Sequence, residues 1–431
     1  QVLPGEGSRL NYRLIGFSFP AISNCTSYKI EIAKGTFTAE DAFKKNIIIE
    51  FANADNKLIG TVPAFGADYT WRIIALHDTT QISQSPFRHF HTLTSPLVDT
   101  AVTRLRVLKK AEKYKDAFVF LDGNKVLYDM SGQPVWFLPD IDSFDFFKVD
   151  VRDIRLTPDG NITFMAPEKI YEIDYSGKVL WRGPANDKPA MNGNRHYHHA
   201  FIKLDNGHYM VEGMEVTDVV IKKENSVDSG LFRFEVPGTQ LPDSSSRQMK
   251  VLLGTILEYD QAGNLVWSYK ASKYLFGSAF WLEMEPGGMP DLDIHDNGFY
   301  FDEPNKVIYL SFRDLNQVIK ISYPDGKLLD VFGMVYHPGT PRPSPSLFCH
   351  QHCPRVATSG DLYVFNNNVC HPGEPPGIVK MKEANGTIQK LWEYNCDKEK
   401  ADREIPSSYT SGGSVCEMPD GALLVDMGSV Y

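Results

Sequence analysis

The stretch Phe348-Cys349-His350-Gln351-His352-Cys353-Pro354-Arg355 sets two histidines between two cysteines, just ahead of a strand-like run. Imidazole and thiol are the side chains best suited to nucleophilic attack or zinc ligation near neutral pH. Further histidines stand in His198-His199-Ala200-Phe201 and in Asp293-Ile294-His295-Asp296-Asn297. An arginine, Arg313, ends the apolar strand Tyr309-Leu310-Ser311-Phe312, eighteen positions beyond His295. If the fold gathers these groups at one place, they form a metal site or a site that handles an anion, because packing has no need of several imidazoles together.

Cys349, His350, His352 and Cys353 are all possible zinc ligands, yet structural zinc motifs separate their ligand pairs by a loop. Four ligands within five residues do not readily wrap one tetrahedral ion. A Cys349–Cys353 disulfide, or two buried thiols, clamping the loop that carries His352 is the preferred reading. A catalytic zinc on His199, His295 and His352 stays open on residue type alone. Arg313 favours the anion, because a guanidinium beside a divalent cation is electrostatically awkward, whereas beside imidazoles it offers planar, permanently charged donors to a tetrahedral oxyanion.

The elements that must position these groups read as repeated hairpins. One unit turns at a glycine and closes on an apolar strand, often with tryptophan: Val126 to Trp136, Tyr171 to Trp181 and Leu257 to Trp267, with weaker copies at Ile319 to Val331 and Val379 to Trp392. A second unit alternates with it and turns at Asp-Gly, Asn-Gly or Ser-Gly, dipeptides that tolerate positive φ. It covers Ile154 to Phe164, Phe201 to Met210, Arg355 to Tyr363 and Val415 to Leu424, with a longer variant from Asn297 to Leu310. Two hairpins per repeat make a four-stranded sheet, the blade of a β-propeller.

Alignment on the turn glycines places His199 eight residues before Gly207, His352 eight before Gly360, Arg152 eight before Gly160 and Gly413 eight before Gly421. His295 enters the variant repeat at a comparable point. Since equivalent positions of successive blades point to a common axial funnel, His199, His295 and His352 are expected to meet. The end hairpins are incomplete, so the count is six blades, or five if the ends complete one another. The stretch from Tyr209 to Ile256 is an insertion, with a strand expected over Gly230 to Val236 and a loop over Pro237 to Arg247.

Ahead of the repeats, short alternating strands at Tyr28 to Ile32, Ile47 to Phe51 and Tyr69 to Ala75 indicate a β-sandwich. Tyr69-Thr70-Trp71-Arg72-Ile73 and Phe90-His91-Thr92 resemble the closing strands of a fibronectin type III domain. Trp71 and Tyr69 are then core residues, and His77, His89 and His91 belong to the surface or strand edges. The fold class is all-β: a small sandwich over 1–95, a linker over 96–103 and a propeller over 104–431.

The 431 residues carry 42% hydrophobic and 23% charged side chains and a formal charge of -10, which argues against nucleic acid or an anionic membrane surface as partner. No apolar run approaches the roughly 18 residues needed to cross a bilayer. The chain starts at Gln1 without a signal peptide, consistent with one never present or already removed. Six cysteines permit disulfides and mildly favour an oxidising compartment.

From about Arg195 onward the sequence resembles the bacterial arylsulfate sulfotransferases, a PAPS-independent family. The matching segments are His198-His199-Ala200-Phe201-Ile202-Lys203-Leu204-Asp205-Asn206-Gly207, His295-Asp296-Asn297 followed by Ser311-Phe312-Arg313, and Gln351-His352 before a strand. The resemblance implies a six-bladed propeller with a small N-terminal sandwich, no cofactor (neither PAPS nor a metal), and periplasmic or secreted localisation. It implies an aryl sulfate as donor and a phenol as acceptor, with His352 as nucleophile passing through a sulfohistidine. His199, Asn297 and Arg313 would hold the sulfuryl oxygens, and His295 would serve as acid and then base. His199 is chosen over His198 on register, and Tyr197, Tyr300 and Tyr409 are candidate walls of a phenol pocket. Assembly as a homo-oligomer and anchoring to a membrane are both compatible with the sequence. The competing readings are a non-catalytic propeller scaffold, a histidine-ligated metal enzyme and a quinone-cofactor dehydrogenase. The last would need grouped carboxylate and carbonyl ligands for calcium, and none are evident.

Overall fold

The computed structural model describes residues 2–99, 105–141, 148–166, 169–184, 197–223, 231–235, 246–276, 282–283, 294–333, 347–371, 374–384, 387–395 and 412–428. The architecture is all-β, built of many small antiparallel sheets; the α-helices among the described residues are short, Glu40–Lys45 and Ala271–Leu275. The chain packs as two compact units, one of Gln1–Phe164 with Tyr171–Trp181, the other of Met165–Ile170 with Arg182–Tyr431.

The first unit begins with a six-stranded sheet in which Ser27–Lys34 lies between Ile47–Asn53 and Ala67–His77, and with a ribbon of Leu14–Ser18 and Lys57–Thr61. Alternation along the strands sends Ile15 and Phe17 of the ribbon and Ile30, Ile32, Tyr69, Trp71 and Phe90 of the sheet into one core. Tyr69 and Trp71 are fully buried, as their place in the alternating strand predicts. His77 is exposed, and His89 and His91 sit at the surface against Glu6 and Asp68.

The strands of both hairpin units are present at the positions read from the turns. The glycines of the opening hairpins, Gly160, Gly207, Gly360 and Gly421, have φ of 84°, 83°, 84° and 79°. Each donates its N–H to the carbonyl three residues back, so one left-handed turn geometry recurs and justifies alignment on these positions. Full four-stranded sheets run from Arg152–Leu156 to Val179–Arg182, from Asp296–Asp302 to Leu328–Gly333 and from His352–Val356 to Thr387–Asn395. Among the described residues, the sheet of Phe118–Leu121, Val126–Asp129 and Pro134–Phe137 has three strands, and that of Ser414–Glu417 and Leu423–Asp426 has two.

The stretch expected to be an insertion is a prolonged hairpin. Tyr209–Lys223 and Ser246–Tyr259 stay in continuous antiparallel register from Tyr209↔Tyr259 to Lys222↔Ser246. Leu231–Glu235 adds a further strand, where one was expected over Gly230 to Val236; most of the loop read over Pro237 to Arg247 lies outside the described residues. The apolar faces of the second unit pack in two main clusters, one joining Leu253, Ile256, Ile294, Phe299, Leu310 and Phe312, the other Phe348, Val364 and Val379. Ile294 and Phe348 anchor the residues just ahead of His295 and His350.

Candidate active site

Three opening strands of the second unit start with the same irregularity. His198 pairs with Glu212 but Phe201 with Val211; Asp296 pairs with Phe312 but Phe299 with Leu310; His352 pairs with Phe365 but Arg355 with Tyr363. Each is a bulge that re-aims the strand's first residues. His199, His295, His350 and Cys353 have φ of 53°, 48°, 49° and 51°, a left-handed conformation that costs non-glycine residues energy and clusters at functional sites.

These distortions bring the imidazoles together. The ring of His199 lies 5.2 Å from that of His295 and 6.2 Å from that of His352, centroid to centroid. Arg313 is tied in through its own backbone, whose N–H donates to the His295 carbonyl at 2.9 Å. Its Nε donates to Asp314 Oδ1 at 2.6 Å and its Nη2 to Oδ2 at 3.3 Å, which leaves the remaining guanidinium protons for another acceptor. The imidazole of His295 and the guanidinium of Arg313 both disfavour a charged His352 ring.

His352 is 8% exposed. Burial is the main reason its imidazole is held to a pKa of about 4; the hydrogen bond to the His350 carbonyl opposes this, and the neighbouring His295, Arg313 and His350 add to it. The ring is therefore neutral across the neutral range. With the ring hydrogen on Nδ1, donated to the His350 carbonyl at 3.1 Å, the lone pair lies on Nε2, the nitrogen left for chemistry; Asn367 Nδ2, 2.7 Å from Nδ1, donates to the same carbonyl.

The backbone from Cys349 to His352 is clamped by carboxamides. Asn366 Oδ1 accepts from the Cys349 N–H at 2.9 Å and Asn316 Oδ1 from the His350 N–H at 2.9 Å. Asn367 Nδ2 donates to the His350 carbonyl at 2.6 Å and Asn297 Nδ2 to the Gln351 carbonyl at 2.6 Å. Gln351, fully buried, points its Nε2 at Ser311 Oγ, the Phe312 carbonyl and the Gln317 carbonyl. Asn297 thus spends an amide proton on the loop beside His352. Asn316, Asn366 and Asn367 did not stand out in the sequence, and Gln351 did so only as the neighbour of His352. The run Asn366-Asn367-Asn368 after an apolar strand was the available signal, and it reads as an ordinary turn.

The cysteine expectation needs correcting. Cys349 is bonded to Cys370, 21 positions away, and Cys353 is free. The strand His352–Val356 lies against Leu362–Asn366, which brings the residues flanking the two strands together. Cys353 instead occupies the left-handed bulge position, with its sulfur 4.0 Å from the Val415 carbonyl. Closure of that loop is worth about 3 kcal/mol. A Cys349→Ser/Cys370→Ser double variant is expected to melt several degrees below the parent, whereas Cys353→Ser should melt with it; thermal unfolding monitored by circular dichroism checks this.

Tyr197 is buried, and its hydroxyl meets the Pro184 carbonyl at 3.0 Å and the Tyr259 hydroxyl at 3.2 Å. Tyr300 is half-buried, with the Arg355 guanidinium over its ring. Tyr409 lies outside the described residues.

Among the described residues, possible metal ligands gather within 4.8 Å in two places, Cys349, Cys370 and His371, and His198, His199 and Glu212. Neither is the His199, His295 and His352 set. In the first, both sulfurs are in the disulfide. In the second, the Nδ1 atoms of His198 and His199 are 2.7 Å apart; tetrahedral ligands at about 2.0–2.1 Å from zinc stand farther from each other, so this contact fits a hydrogen bond.

Against known proteins, solved structures of low identity are similar to this chain. A protein of unknown function from Bacteroides caccae is 13% identical with a TM-score of 0.38, covering 70% of this chain and 77% of its own. A putative 6-phosphogluconolactonase from Bacteroides fragilis is 12% identical with a TM-score of 0.30, covering 94% and 89%. Hydrazine synthase from Kuenenia stuttgartiensis is 11% identical with a TM-score of 0.33, covering 73% and 78%. No curated protein matches the chain. The model of the family described as Arylsulfotransferase (ASST) matches residues 104–430, which span the three histidines and Arg313: the chain belongs to the arylsulfotransferase family.

Proposed function

We propose that this protein transfers a sulfuryl group from an aryl sulfate ester to a phenol by a ping-pong route, without PAPS or a metal, with His352 as the nucleophile. The observation that carries the reading is the neutral, buried His352 ring, its Nδ1 on the His350 carbonyl, with the imidazoles of His199 and His295 and the guanidinium of Arg313 around it. A neutral imidazole nitrogen attacks sulfur, whereas an imidazolium has no lone pair to give.

In the first half, His352 Nε2 forms a bond to sulfur as the bond from sulfur to the aryl oxygen breaks, and His295 gives a proton to the departing phenolate. In the second half, His295 takes the proton of the acceptor phenol, whose oxygen bonds to sulfur as the sulfur–nitrogen bond breaks. His199 and Arg313 hold the sulfuryl oxygens, whose charge is stabilised by donors already in place. Asn297 serves by fixing the backbone beside His352 and offers its second amide proton to the same oxygens.

The alternating hairpins with one recurring turn support a six-bladed propeller over 104–431, joined by a linker over 96–103 to a fibronectin III-like sandwich over 1–95. In that architecture the three bulged strands would all open into one axial funnel. A disulfide beside the site suits a periplasmic or secreted enzyme. A pure scaffold has no use for the strained histidines.

Initial rates with 4-nitrophenyl sulfate and phenol, without added PAPS, test the reading. Parallel double-reciprocal lines and a burst of 4-nitrophenolate equal to the enzyme concentration are expected. Intersecting lines without a burst would reject the covalent intermediate.

A further inference from the structure

The other member of the histidine pair has no task in the mechanism above, yet it occupies the most deliberately built position near the site. His198 is 5% exposed. Its Nδ1 is 2.7 Å from Nδ1 of His199, with the two rings at 86° to one another. Two carboxylates flank it: Glu212 Oε2 lies 4.0 Å from Nδ1 and Asp296 Oδ1 lies 4.0 Å from Nε2. Glu212 and Asp296 are 0% and 1% exposed. Both are held in place. Glu212 Oε1 accepts the Gly298 N–H at 3.0 Å, and Asp296 sits so close over Gly254 that a Cβ there would fall 1.8 Å from its Oδ2.

Two imidazole nitrogens at 2.7 Å repel unless a proton lies between them, so the contact is N–H···N. Only two arrangements satisfy it. If His199 gave the proton, His198 Nδ1 would present a lone pair with Glu212 Oε2 4.0 Å away, and the two would repel. If His198 gives the proton, His199 Nδ1 is the acceptor and the neutral His199 ring carries its hydrogen on Nε2, the nitrogen that His198 does not engage. Carboxylates beside both nitrogens of His198 favour the proton there.

We propose that His198 is a positioning residue, held protonated on Nδ1 between Glu212 and Asp296, which fixes His199 as the tautomer whose Nε2–H faces the transferring group. What that N–H meets rests on the sulfuryl-transfer reading; the tautomer itself does not. The proposal also settles why the two histidines are adjacent: the left-handed turn at His199 allows one ring to face inward to the carboxylates while the next faces His295 and His352.

The test has two arms. In enzyme labelled with 15N-histidine, ring-nitrogen spectra assigned with a His199→Gln variant are expected to show His199 protonated at Nε2 and bare at Nδ1. The same pattern is expected in His198→Asn, whose amide nitrogen overlays Nδ1 and can donate, and not in His198→Leu. A proton on His199 Nδ1 in the wild type would overturn the proposal, and this arm holds even if no sulfuryl transfer is found. In the kinetic arm, His198→Leu is expected to lower kcat by about 100-fold with KM for 4-nitrophenyl sulfate changed less than about threefold, and His198→Asn to recover to within about tenfold of wild type. Equal impairment of the two variants, or none in either, counts against the proposal; absence of transfer in the wild type counts against the sulfotransferase reading alone.

Discussion

His352→Ala is expected to fold as the parent does and to lose transfer from 4-nitrophenyl sulfate to phenol by at least about 10³-fold in kcat, together with the burst of 4-nitrophenolate. The loss should be deep because no neighbour can take over. Attack needs the Nε2 lone pair aimed at sulfur, and in His352 that aim is set at Nδ1 by the His350 carbonyl, beside the Asn367 carboxamide. Rates near the parent's in this variant would remove His352 as nucleophile. The low basicity of the ring has a second consequence. An unfolded histidine titrates near 6.5, whereas folded His352 titrates near 4, so between these values the unfolded chain binds the extra proton. Stability from this source is whole above pH 6.5 and falls as the pH drops toward 4, by about 3 kcal/mol in all. His352→Gln should therefore lose less stability than the parent between pH 7 and 4.5, read as the shift in urea midpoint. In the active enzyme the acid limb of kcat/KM that reports the nucleophile should lie near 4 and not near 6.5.

Much of this was legible because both signals are local. A turn that needs positive φ names its glycine, and alternation names the buried face, so the hairpins and the register that brings His199 and His352 into contact could be read from residue types. The bulges were not legible. They lie where a strand's first residues leave the ladder, and nothing in His198-His199-Ala200 states that the second residue turns left-handed. The disulfide was missed for a related reason. Cys349 and Cys353 are close along the chain, but strand pairing decides which sulfurs meet, and it brings Cys349 to Cys370. The carboxamide clamp was missed because Asn316, Asn366 and Asn367 act on backbone atoms of another segment, a partnership that leaves no spacing rule. His199, chosen over His198 on the repeat register, has its ring beside those of His295 and His352, whereas His198 lies between Glu212 and Asp296.

Arg313→Ala is expected to cost about 10²–10³-fold in kcat with a smaller change in KM, because a guanidinium aimed at sulfuryl oxygens gains most as charge gathers on them in the transition state. The strand pairing that sets Arg313 beside His295, with its amide on the His295 carbonyl, makes this a positioned charge, unlike a mobile surface arginine. Asp314 complicates the variant, since removing the guanidinium leaves a carboxylate that it had bound through Nε and Nη2. An Arg313→Ala/Asp314→Asn double variant separates the two effects: if the lost donor matters, neutralising Asp314 recovers little. Arg313→Lys keeps the charge but not the planar fork, and should recover only part of the rate. A second readout follows from the same geometry. Because the Arg313 charge is one cause of the low basicity of His352, its removal should move the acid limb of the profile upward from about 4, in Arg313→Ala but not in Arg313→Lys. A full rate in Arg313→Ala, or an acid limb that stays put, would show that the guanidinium serves Asp314 alone and that the sulfuryl oxygens are held by the imidazoles.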